Sequence, residues 1–270
     1  MAIIPKQNPL EHSLNDIEEV NQHREHAGLS MIGSKCHRYL QLSHYWAFET
    51  KISKRVRRLF NFGHMMEDQM IADLESQGYK FSGAQDQIVG FGGHWKGHID
   101  GRFQKDDIDY LAEFKTHNDK SFKDLVAKGV KESKPTHYGQ IQAYMGYKDI
   151  KECIYVGYNK NDSAYYIEFV QLDEEYFAEL KSKEAEVLLA DTLLSRIGAN
   201  KYTWFECKFC SARQECFGKK EVSRNCRTCA NVDVLDAGKW QCNLKSKILT
   251  VDEQRAGCDK YETAIMFKEL

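Results

Sequence analysis

Apolar residues in the first third of the chain recur every three or four positions. The longest such run, KRVRRLFNFGHMMEDQMIADLESQG, covers residues 54–78 and predicts an amphipathic helix that ends near Gly78. A shorter, aromatic-rich helix is predicted over residues 34–50. The polar residues before it, up to about residue 30, predict only partial order, with a short helix over residues 14–26.

From residue 85 the apolar positions begin to alternate with polar ones. This pattern predicts short strands over residues 85–116, separated by Gly-Gly and Lys-Asp-Asp turns. Helices are predicted again over residues 119–129, 135–148 and 173–198, with a β-hairpin over residues 153–170. Helices and strands in this order indicate an α/β fold, in which helices flank a central mixed β-sheet.

Composition narrows the class of protein. Of 270 residues, 29% are charged and 42% are hydrophobic, which is typical of a folded globular protein. The formal net charge is -2, so nucleic-acid binding would need a local basic patch or a metal-filled cleft. We find no apolar run of membrane-spanning length and no secretory signal pattern. We therefore expect a cytoplasmic protein (in the host cytoplasm if it is viral) without a membrane partner.

Seven of the nine cysteines fall in the last 64 residues. In a reducing compartment, clustered cysteines more often bind metal than form disulfides. This shift in composition predicts a second module. We divide the chain into an N-terminal segment over residues 1–30, a main domain over 31–220 and a small cysteine-rich, metal-binding module over 221–270.

One acidic stretch stands out among the predicted strands. GHIDGRFQKDDIDYLAEFKT, residues 97–116, carries Asp100 and then Glu113-Phe-Lys115. Side chains alternate along a strand, so Glu113 and Lys115 share a face, and an antiparallel hairpin brings Asp100 near Glu113. Two close carboxylates repel each other unless a cation lies between them, and their oxygens suit Mg²⁺ or Mn²⁺. Taken alone, the pattern also fits an ordinary charged hairpin.

Motifs on either side of the hairpin favour the metal site over the ordinary charged hairpin. The predicted helix before it carries His64 and Glu67 on one face, and the predicted helix after it carries Gln140 and Tyr144 four residues apart. The ordered set is Gly63-His64 with Glu67, Gly97-His-Ile-Asp100, Glu113-Phe-Lys115 and Gln140-Ile-Gln-Ala-Tyr144. Over about residues 34–216, this set resembles the RecB-like branch of the PD-(D/E)XK nuclease superfamily.

The resemblance implies a restriction-endonuclease-like core and a divalent metal site. By position, it implies that Asp100 and Glu113 hold Mg²⁺ or Mn²⁺, together with the Phe114 carbonyl oxygen and His64. His98 lies two residues before Asp100 on the same strand face, so it is an alternative ligand to His64.

The resemblance also implies roles for three other residues. Lys115 would orient or activate the water that attacks the phosphodiester bond. Gln140 and Tyr144 would support the DNA backbone or the active site.

Four cysteines bracket the region of resemblance. Cys36 lies before the nuclease motifs, and Cys207-x₂-Cys210-x₅-Cys216 follows them. This arrangement resembles an iron–sulfur subgroup of the RecB-like branch, which includes the AddB nuclease domain and the CRISPR-associated adaptation nuclease. The resemblance implies a [4Fe–4S] cluster ligated by these four thiolates, which would join the two ends of the nuclease domain.

The C-terminal cysteines form a second set, Cys226-x₂-Cys229-x₁₂-Cys242-x₁₅-Cys258. Their spacing is compatible with a tetrahedral zinc site. The segment has few large apolar residues, so a metal would help it fold. A flexible tail with free thiols is the alternative. The ninth cysteine, Cys153, is expected in the core.

These patterns predict a metal-dependent deoxyribonuclease. We expect an exonuclease on single-stranded or end-containing DNA, in (viral) recombination, replication or DNA degradation, with recombination or replication proteins as partners. The alternatives are a non-catalytic nucleic-acid-binding or assembly subunit that retains the fold, and a redox or metal-handling protein. The basic run over residues 51–58 forms either a contact surface for phosphates or an ordinary solvated face. For Trp204, Phe205 and Phe209 we favour packing around the cluster, with stacking on nucleic-acid bases as the alternative.

Overall fold

The computed structural model describes residues 8–268 and 270, so the first seven residues of the predicted N-terminal segment lie outside the described residues. Within this range the helices are α1 (Pro9–Asn15), α2 (His37–His44), α3 (Lys54–Ser76), α4 (Asp119–Ser133), α5 (Pro135–Lys148), α6 (Glu174–Leu189), α7 (Arg213–Cys216), α8 (Val251–Ala256) and α9 (Ile265–Lys268). The strands are β1 (Glu18–Asn21), β2 (Ala27–Gly28), β3 (Thr50–Ser53), β4 (Lys80–Ser82), β5 (Gln87–Val89), β6 (Trp95–His98), β7 (Gly101–Lys105), β8 (Ile108–His117), β9 (Glu152–Asn159), β10 (Tyr165–Gln171), β11 (Val232–Leu235), β12 (Lys239–Cys242) and β13 (Lys247–Ile248).

A five-stranded mixed sheet forms the centre of the protein, in the order β10-β9-β8-β7-β4. β8 and β9 are parallel, and the other neighbours in this sheet are antiparallel. The chain between the parallel strands forms α4 and α5, because two parallel strands need a crossover connection. The predicted α/β fold, a central mixed sheet with flanking helices, is confirmed.

The two faces of β8 pack against different helices, since side chains alternate along a strand. Ala112 and Phe114 are buried against α3 on one face. Leu111 is buried with residues of α5 and α6 on the other. Glu113 shares the face of Leu111, so it lies on the α5 side of the sheet and is fully buried.

The long helix α3 matches its prediction closely. Its N-cap is Ser53, whose side chain accepts a hydrogen bond from the backbone N–H of Val56 at 3.3 Å. The helix ends at Ser76, and Gly78 follows it with a φ of 86°, a conformation that glycine adopts without strain.

The helix predicted over residues 14–26 is wrong. α1 begins earlier and ends at Asn15, and the residues after it form β1, which pairs with β3. Arg57 of α3 pairs with Glu19 of β1 at 3.1 Å, and Arg58 donates to the Leu14 carbonyl at 2.7 Å. Arg57 and Arg58, both in the basic run, thus bind the N-terminal segment. Together with the β1–β3 pairing, these contacts stabilise a strand where the sequence predicted a helix.

The helix predicted up to Gly198 ends early, at Leu189. The chain after it is extended and bonds to α2 instead of continuing the helix. The Gln41 side chain donates to the Thr192 carbonyl and accepts from the Leu194 N–H, each at 2.9 Å. Tertiary hydrogen bonds thus satisfy backbone groups that a longer helix would have paired internally.

The C-terminal cysteine-rich residues pack directly on the end of α2, which stops at His44 rather than near residue 50. The buried Arg227 guanidinium lies 3.7 Å from the Trp46 ring and 4.7 Å from the Trp240 ring, and donates to the His44 carbonyl at 3.0 Å. The module itself is a three-stranded sheet, β11-β12-β13. It shares a buried core with the main domain, because Trp240 packs with Tyr45. No helix in the described range is long and apolar enough to cross a membrane.

Candidate active site

Asp100 and Glu113 meet where two sheets join. β6 belongs to a three-stranded sheet and β7 to the central sheet, and Asp100 lies in the break between them. β7 pairs with β8 so that Gly101 is opposite Ala112. Asp100 Oδ2 therefore reaches the backbone N–H of Phe114 and accepts a hydrogen bond from it at 2.9 Å. The predicted antiparallel hairpin is confirmed, and it brings the two acids together.

Lys115 lies against both acids. Its ammonium contacts Glu113 Oε1, lies 3.8 Å from Asp100 Oδ2, and donates to the Phe114 carbonyl oxygen at 3.1 Å. Among the described residues, neither carboxylate oxygen of Glu113 makes a hydrogen bond of normal geometry. A fully buried carboxylate is costly unless a positive group lies against it, and Lys115 is that group here.

Burial and nearby charges shift the pKa values of both Glu113 and Lys115. Burial and then the nearby Asp100 raise the pKa of Glu113 to about 8, against the opposing effect of Lys115. Burial opposes the charge on Lys115, but Glu113 and Asp100 outweigh it and raise the pKa of this lysine. The charged Lys115 and the acid pair therefore stabilise each other's charged forms against the cost of burial.

Glu67 of α3, which the ordered motif set includes beside His64, lies within electrostatic reach of Asp100 and Lys115. Burial and the charge of Asp100 raise the pKa of Glu67. His64 Nδ1 lies 3.6 Å from Glu67 Oε1, and 76% of the His64 side chain is exposed. The structure therefore puts His64 at the rim, beside Glu67. His98 is also exposed, and its charge acts on His26.

Tyr144 and Gln140 lie beneath the site on α5, and both are buried. Burial and then the charge of Glu113 raise the pKa of Tyr144. Gly97 leaves room for this ring, since a Cβ there would stand 2.6 Å from the Tyr144 hydroxyl and under 3 Å from two ring carbons. These positions favour support of the active site over contact with DNA.

Gly97→Ala is therefore expected to lower the free energy of unfolding by about 1–3 kcal/mol, because the new methyl group overpacks the Tyr144 ring. Urea denaturation measures this change. Gly63→Ala is the matched control, since Gly63 lies within α3 and has nothing within 4 Å of its added Cβ. That variant should gain up to about 1 kcal/mol. Equal stability of the Gly97 variant and the wild type would contradict the packing described for Tyr144.

A histidine–tyrosine cluster adjoins the site on β9. The Tyr155 hydroxyl lies 3.1 Å from His117 Nε2 and 2.8 Å from His137 Nδ1, and Tyr155 is opposite Glu113 in the sheet. Burial lowers the pKa of His117 to about 4 and that of His137 to about 3, helped by Lys115 and by other nearby charged groups. Both histidines are neutral at pH 7.

These two histidines make stability depend on pH. An unfolded histidine takes up a proton near pH 6.5, while the folded His117 and His137 do not, so stability present above pH 6.5 is lost as pH falls toward their folded pKa values. Between pH 7.5 and 5.5 we expect each to reduce the free energy of unfolding by about 1 kcal/mol. Urea denaturation at both pH values tests this, with His117→Gln/His137→Gln as the comparison. A pH dependence unchanged in that variant would contradict the assignment.

The acid pair fits a hard divalent cation in the kind of donors it offers. Asp100, Glu113 and the Phe114 carbonyl supply oxygen atoms, the type of ligand that Mg²⁺ prefers. As they stand, no three His, Cys, Asp or Glu side chains within residues 8–268 and 270 are close enough together to hold a metal ion. In this arrangement the Lys115 ammonium supplies the neutralising charge.

The first cysteine set converges on one small cavity. Cys36, at the start of α2, and Cys207, Cys210 and Cys216 together line a cavity of about 20 Å³. Burial, followed by the other three thiols, raises the pKa of Cys210 to about 11. No cysteine of the chain is in a disulfide. Arg196, which also lines the cavity, donates to the Cys216 carbonyl at 3.1 Å.

The thiols of the second cysteine set are electrostatic neighbours, although as they stand they are not grouped closely enough to hold a metal ion. Burial and then Cys258, Cys229 and Cys242 raise the pKa of Cys226 to about 11. A short turn begins at Cys226, and Asn225 caps it by accepting from the Arg227 N–H at 2.8 Å. Cys153, in contrast, is fully buried in the main core, as predicted.

Solved structures similar to this chain include alkaline exonucleases. An alkaline exonuclease (LHK-Exo) from Laribacter hongkongensis is 17% identical, with a TM-score of 0.46 over 62% of this chain and 87% of that one. LHK-Exo in complex with dAMP is 14% identical, with a TM-score of 0.43 over 61% and 86%. The structure of SSO0001 is 17% identical, with a TM-score of 0.43 over 74% and 89%. No protein-family model and no curated protein sequence matches this chain.

The structure explains how Glu67, a member of the predicted motif set, reaches the acid pair, and it adds residues that the sequence did not identify. Glu67 belongs to the site because α3 packs over the β7–β8 hairpin. Tyr155 and His137 belong to its surroundings because β9 runs parallel to β8 and α5 packs beside it. The sequence could have identified Tyr155 only if the pairing of β9 with β8 had been known. That pairing joins residues far apart in the chain, so local patterns do not predict it.

Proposed function

We propose that this protein is a divalent-metal-dependent deoxyribonuclease. The observation that carries the proposal is the fully buried Glu113 carboxylate in contact with the Lys115 ammonium, which also lies 3.8 Å from Asp100 Oδ2. A scaffold subunit would gain nothing from a buried acid pair, since removing such charges in favour of apolar residues is often neutral or stabilising. Retention of both acids with a lysine between them supports catalysis over a purely structural role.

The residues of the site have distinct proposed tasks. Asp100, Glu113 and the Phe114 carbonyl would hold Mg²⁺ or Mn²⁺, which would polarise the phosphate, activate a water and offset charge on the leaving oxygen. Lys115 would orient the attacking water and stabilise charge that develops on the phosphate. It is held for this task by its hydrogen bond to the Phe114 carbonyl.

Supporting residues complete the proposed site. Glu67, next to Asp100, is placed to accept a hydrogen bond from a water molecule. His64 would join the metal's ligands from the rim, where it now contacts Glu67. Tyr144 would fix the Glu113 side of the site from below, and the buried Gln140 would stabilise the same helix.

We also propose a [4Fe–4S] cluster bound by Cys36, Cys207, Cys210 and Cys216. Four thiols that line one cavity, free of disulfides, match the ligand set of such a cluster. Arginine side chains beside the cavity suit a negatively charged cluster, Arg196 among them. The cluster would tie α2 to the chain after α6.

For the second set we propose a structural zinc ion. Cys226, Cys229, Cys242 and Cys258 offer a closed set of four thiolates, which is typical of structural rather than catalytic zinc. The module's three short strands provide little core of their own, so a metal would add to their stability.

The proposed substrate is single-stranded or end-containing DNA, processed as an exonuclease during recombination, replication or degradation. Digestion of end-labelled linear DNA and of closed-circular DNA, each with Mg²⁺, Mn²⁺ or a chelator, tests this. An exonuclease would degrade linear DNA only, in the presence of either metal. Cleavage of the closed circle would overturn the exonuclease assignment, and no cleavage under any condition would overturn the nuclease.

A further inference from the structure

Three aromatic side chains stand exposed on the loop that carries Cys207 and Cys210. The exposed fractions are 42% for Trp204, 69% for Phe205 and 78% for Phe209. The expectation that these rings pack around the cysteine cavity is therefore wrong. The hydrophobic cluster around Cys216 takes in neighbouring apolar side chains of α2 and the C-terminal residues, and the three rings lie outside it.

The exposed rings are held in place by the backbone. The Lys208 N–H lies 3.2 Å from the Trp204 carbonyl and 3.1 Å from the Phe205 carbonyl, and donates to both. The Phe205 and Phe209 rings are 5.4 Å apart at an angle of 72°. Gly198 lies under the Trp204 indole so closely that a Cβ there would stand 2.2 Å from the ring. The loop thus presents fixed apolar surfaces to solvent, at a cost that a ligand would offset.

The charge of this region favours an anionic ligand. Residues 196–220 contain six Lys or Arg and two Asp or Glu. Lys201 and Lys208 flank the exposed rings and are themselves exposed. Exposed aromatic rings interleaved with lysines are the features with which proteins bind unpaired nucleic-acid strands, since every base can stack and every phosphate can pair with a lysine.

We propose that Trp204, Phe205 and Phe209 form a stacking platform for the unpaired bases of a DNA strand. The choice of DNA as the ligand rests on the proposed nuclease function. The platform adds to that function a binding site for single-stranded DNA outside the acid pair. Because a duplex keeps its bases stacked internally, the platform discriminates between strand and duplex.

Fluorescence anisotropy tests this platform by measuring the binding of a labelled oligothymidylate and of a labelled blunt duplex. The buffer contains Ca²⁺ but no Mg²⁺ or Mn²⁺. Phe205→Ala/Phe209→Ala is expected to weaken oligothymidylate binding by about 10- to 100-fold and to leave duplex binding within about twofold. Phe205→Leu/Phe209→Leu should weaken it similarly, since leucine keeps an apolar surface but cannot stack. Phe169→Ala, a phenylalanine of β10 that is 47% exposed, is the matched control and should bind both probes normally.

Three results would overturn the platform. They are full oligothymidylate affinity in the alanine variant, equal losses for strand and duplex, and full affinity in the leucine variant, which would show that apolar contact without stacking is enough. Hydrolysis of bis(p-nitrophenyl) phosphate with Mn²⁺ separates this inference from the nuclease proposal. Platform variants should hydrolyse it at the wild-type rate. A wild-type protein that binds strands through the platform but hydrolyses nothing would refute the nuclease and leave the platform standing.

Discussion

Asp100→Ala is expected to lower the rate of DNA hydrolysis by about a thousandfold or more. The substitution removes one of two carboxylates that would hold the catalytic cation, and it leaves the Phe114 N–H without its acceptor at 2.9 Å. A loss of this size corresponds to about 4 kcal/mol of transition-state stabilisation, which is what a metal site of this kind supplies. The release of labelled nucleotides from linear DNA in Mn²⁺ measures it.

Asp109→Ala is the matched control for charge. Asp109 is exposed on the same hairpin, opposite Gln104 and four residues before Glu113. It should retain activity within about twofold, since surface substitutions away from a site change little. Thermal unfolding by circular dichroism should show that both variants are folded. Comparable activity in the Asp100 and Asp109 variants would sink the assignment of Asp100.

Cys216→Ser is expected to abolish iron binding and to destabilise the protein by on the order of 4 kcal/mol. A cluster bound by Cys36 and by Cys216 closes a loop of well over a hundred residues, and the entropy removed from the unfolded chain by such a closure is of this order. Iron and acid-labile sulfide in protein purified without oxygen, together with urea denaturation, measure the two effects.

Two variants make the cysteine test specific. Cys153→Ala removes a buried thiol that belongs to neither set, so its iron content should equal that of the wild type. Cys229→Ser belongs to the second set, so it should lose one zinc per chain and keep its iron. A colourless wild-type protein that holds zinc alone would contradict the cluster, and iron lost equally in all three variants would contradict the division into two sets.

Local sequence was enough to predict the hairpin at the heart of the site. Asp100 and Glu113 are thirteen positions apart, and a tight turn at Asp106 and Asp107, both with positive φ, folds the strands back on each other. Alternation along β8 then sets Glu113 and Lys115 on one face. Such short-range geometry follows from strand period and turn chemistry alone.

Long-range contacts explain what the sequence did not predict. α6 ends at Leu189 because the following chain bonds to Gln41, more than a hundred residues earlier. β1 replaces a helix because β3 offers it a partner. Glu67 reaches the site through the packing of α3 on the sheet, and the exposure of Phe205 and Phe209 depends on what surrounds the loop. Propensity carries no information about such partners.

Mn²⁺ binding measured by electron paramagnetic resonance, in the wild type and in Glu113→Gln without DNA, tests the central claim most directly. We predict one more bound Mn²⁺ per chain in the wild type than in the variant, because the glutamine keeps the shape of the side chain but removes its charge. As the Mn²⁺ concentration is raised, the rate of DNA hydrolysis by the wild type should increase in proportion to the fraction of this site that holds Mn²⁺. Identical Mn²⁺ binding in the two proteins, or undiminished hydrolysis by Glu113→Gln, would contradict a metal-dependent nuclease built on Asp100 and Glu113.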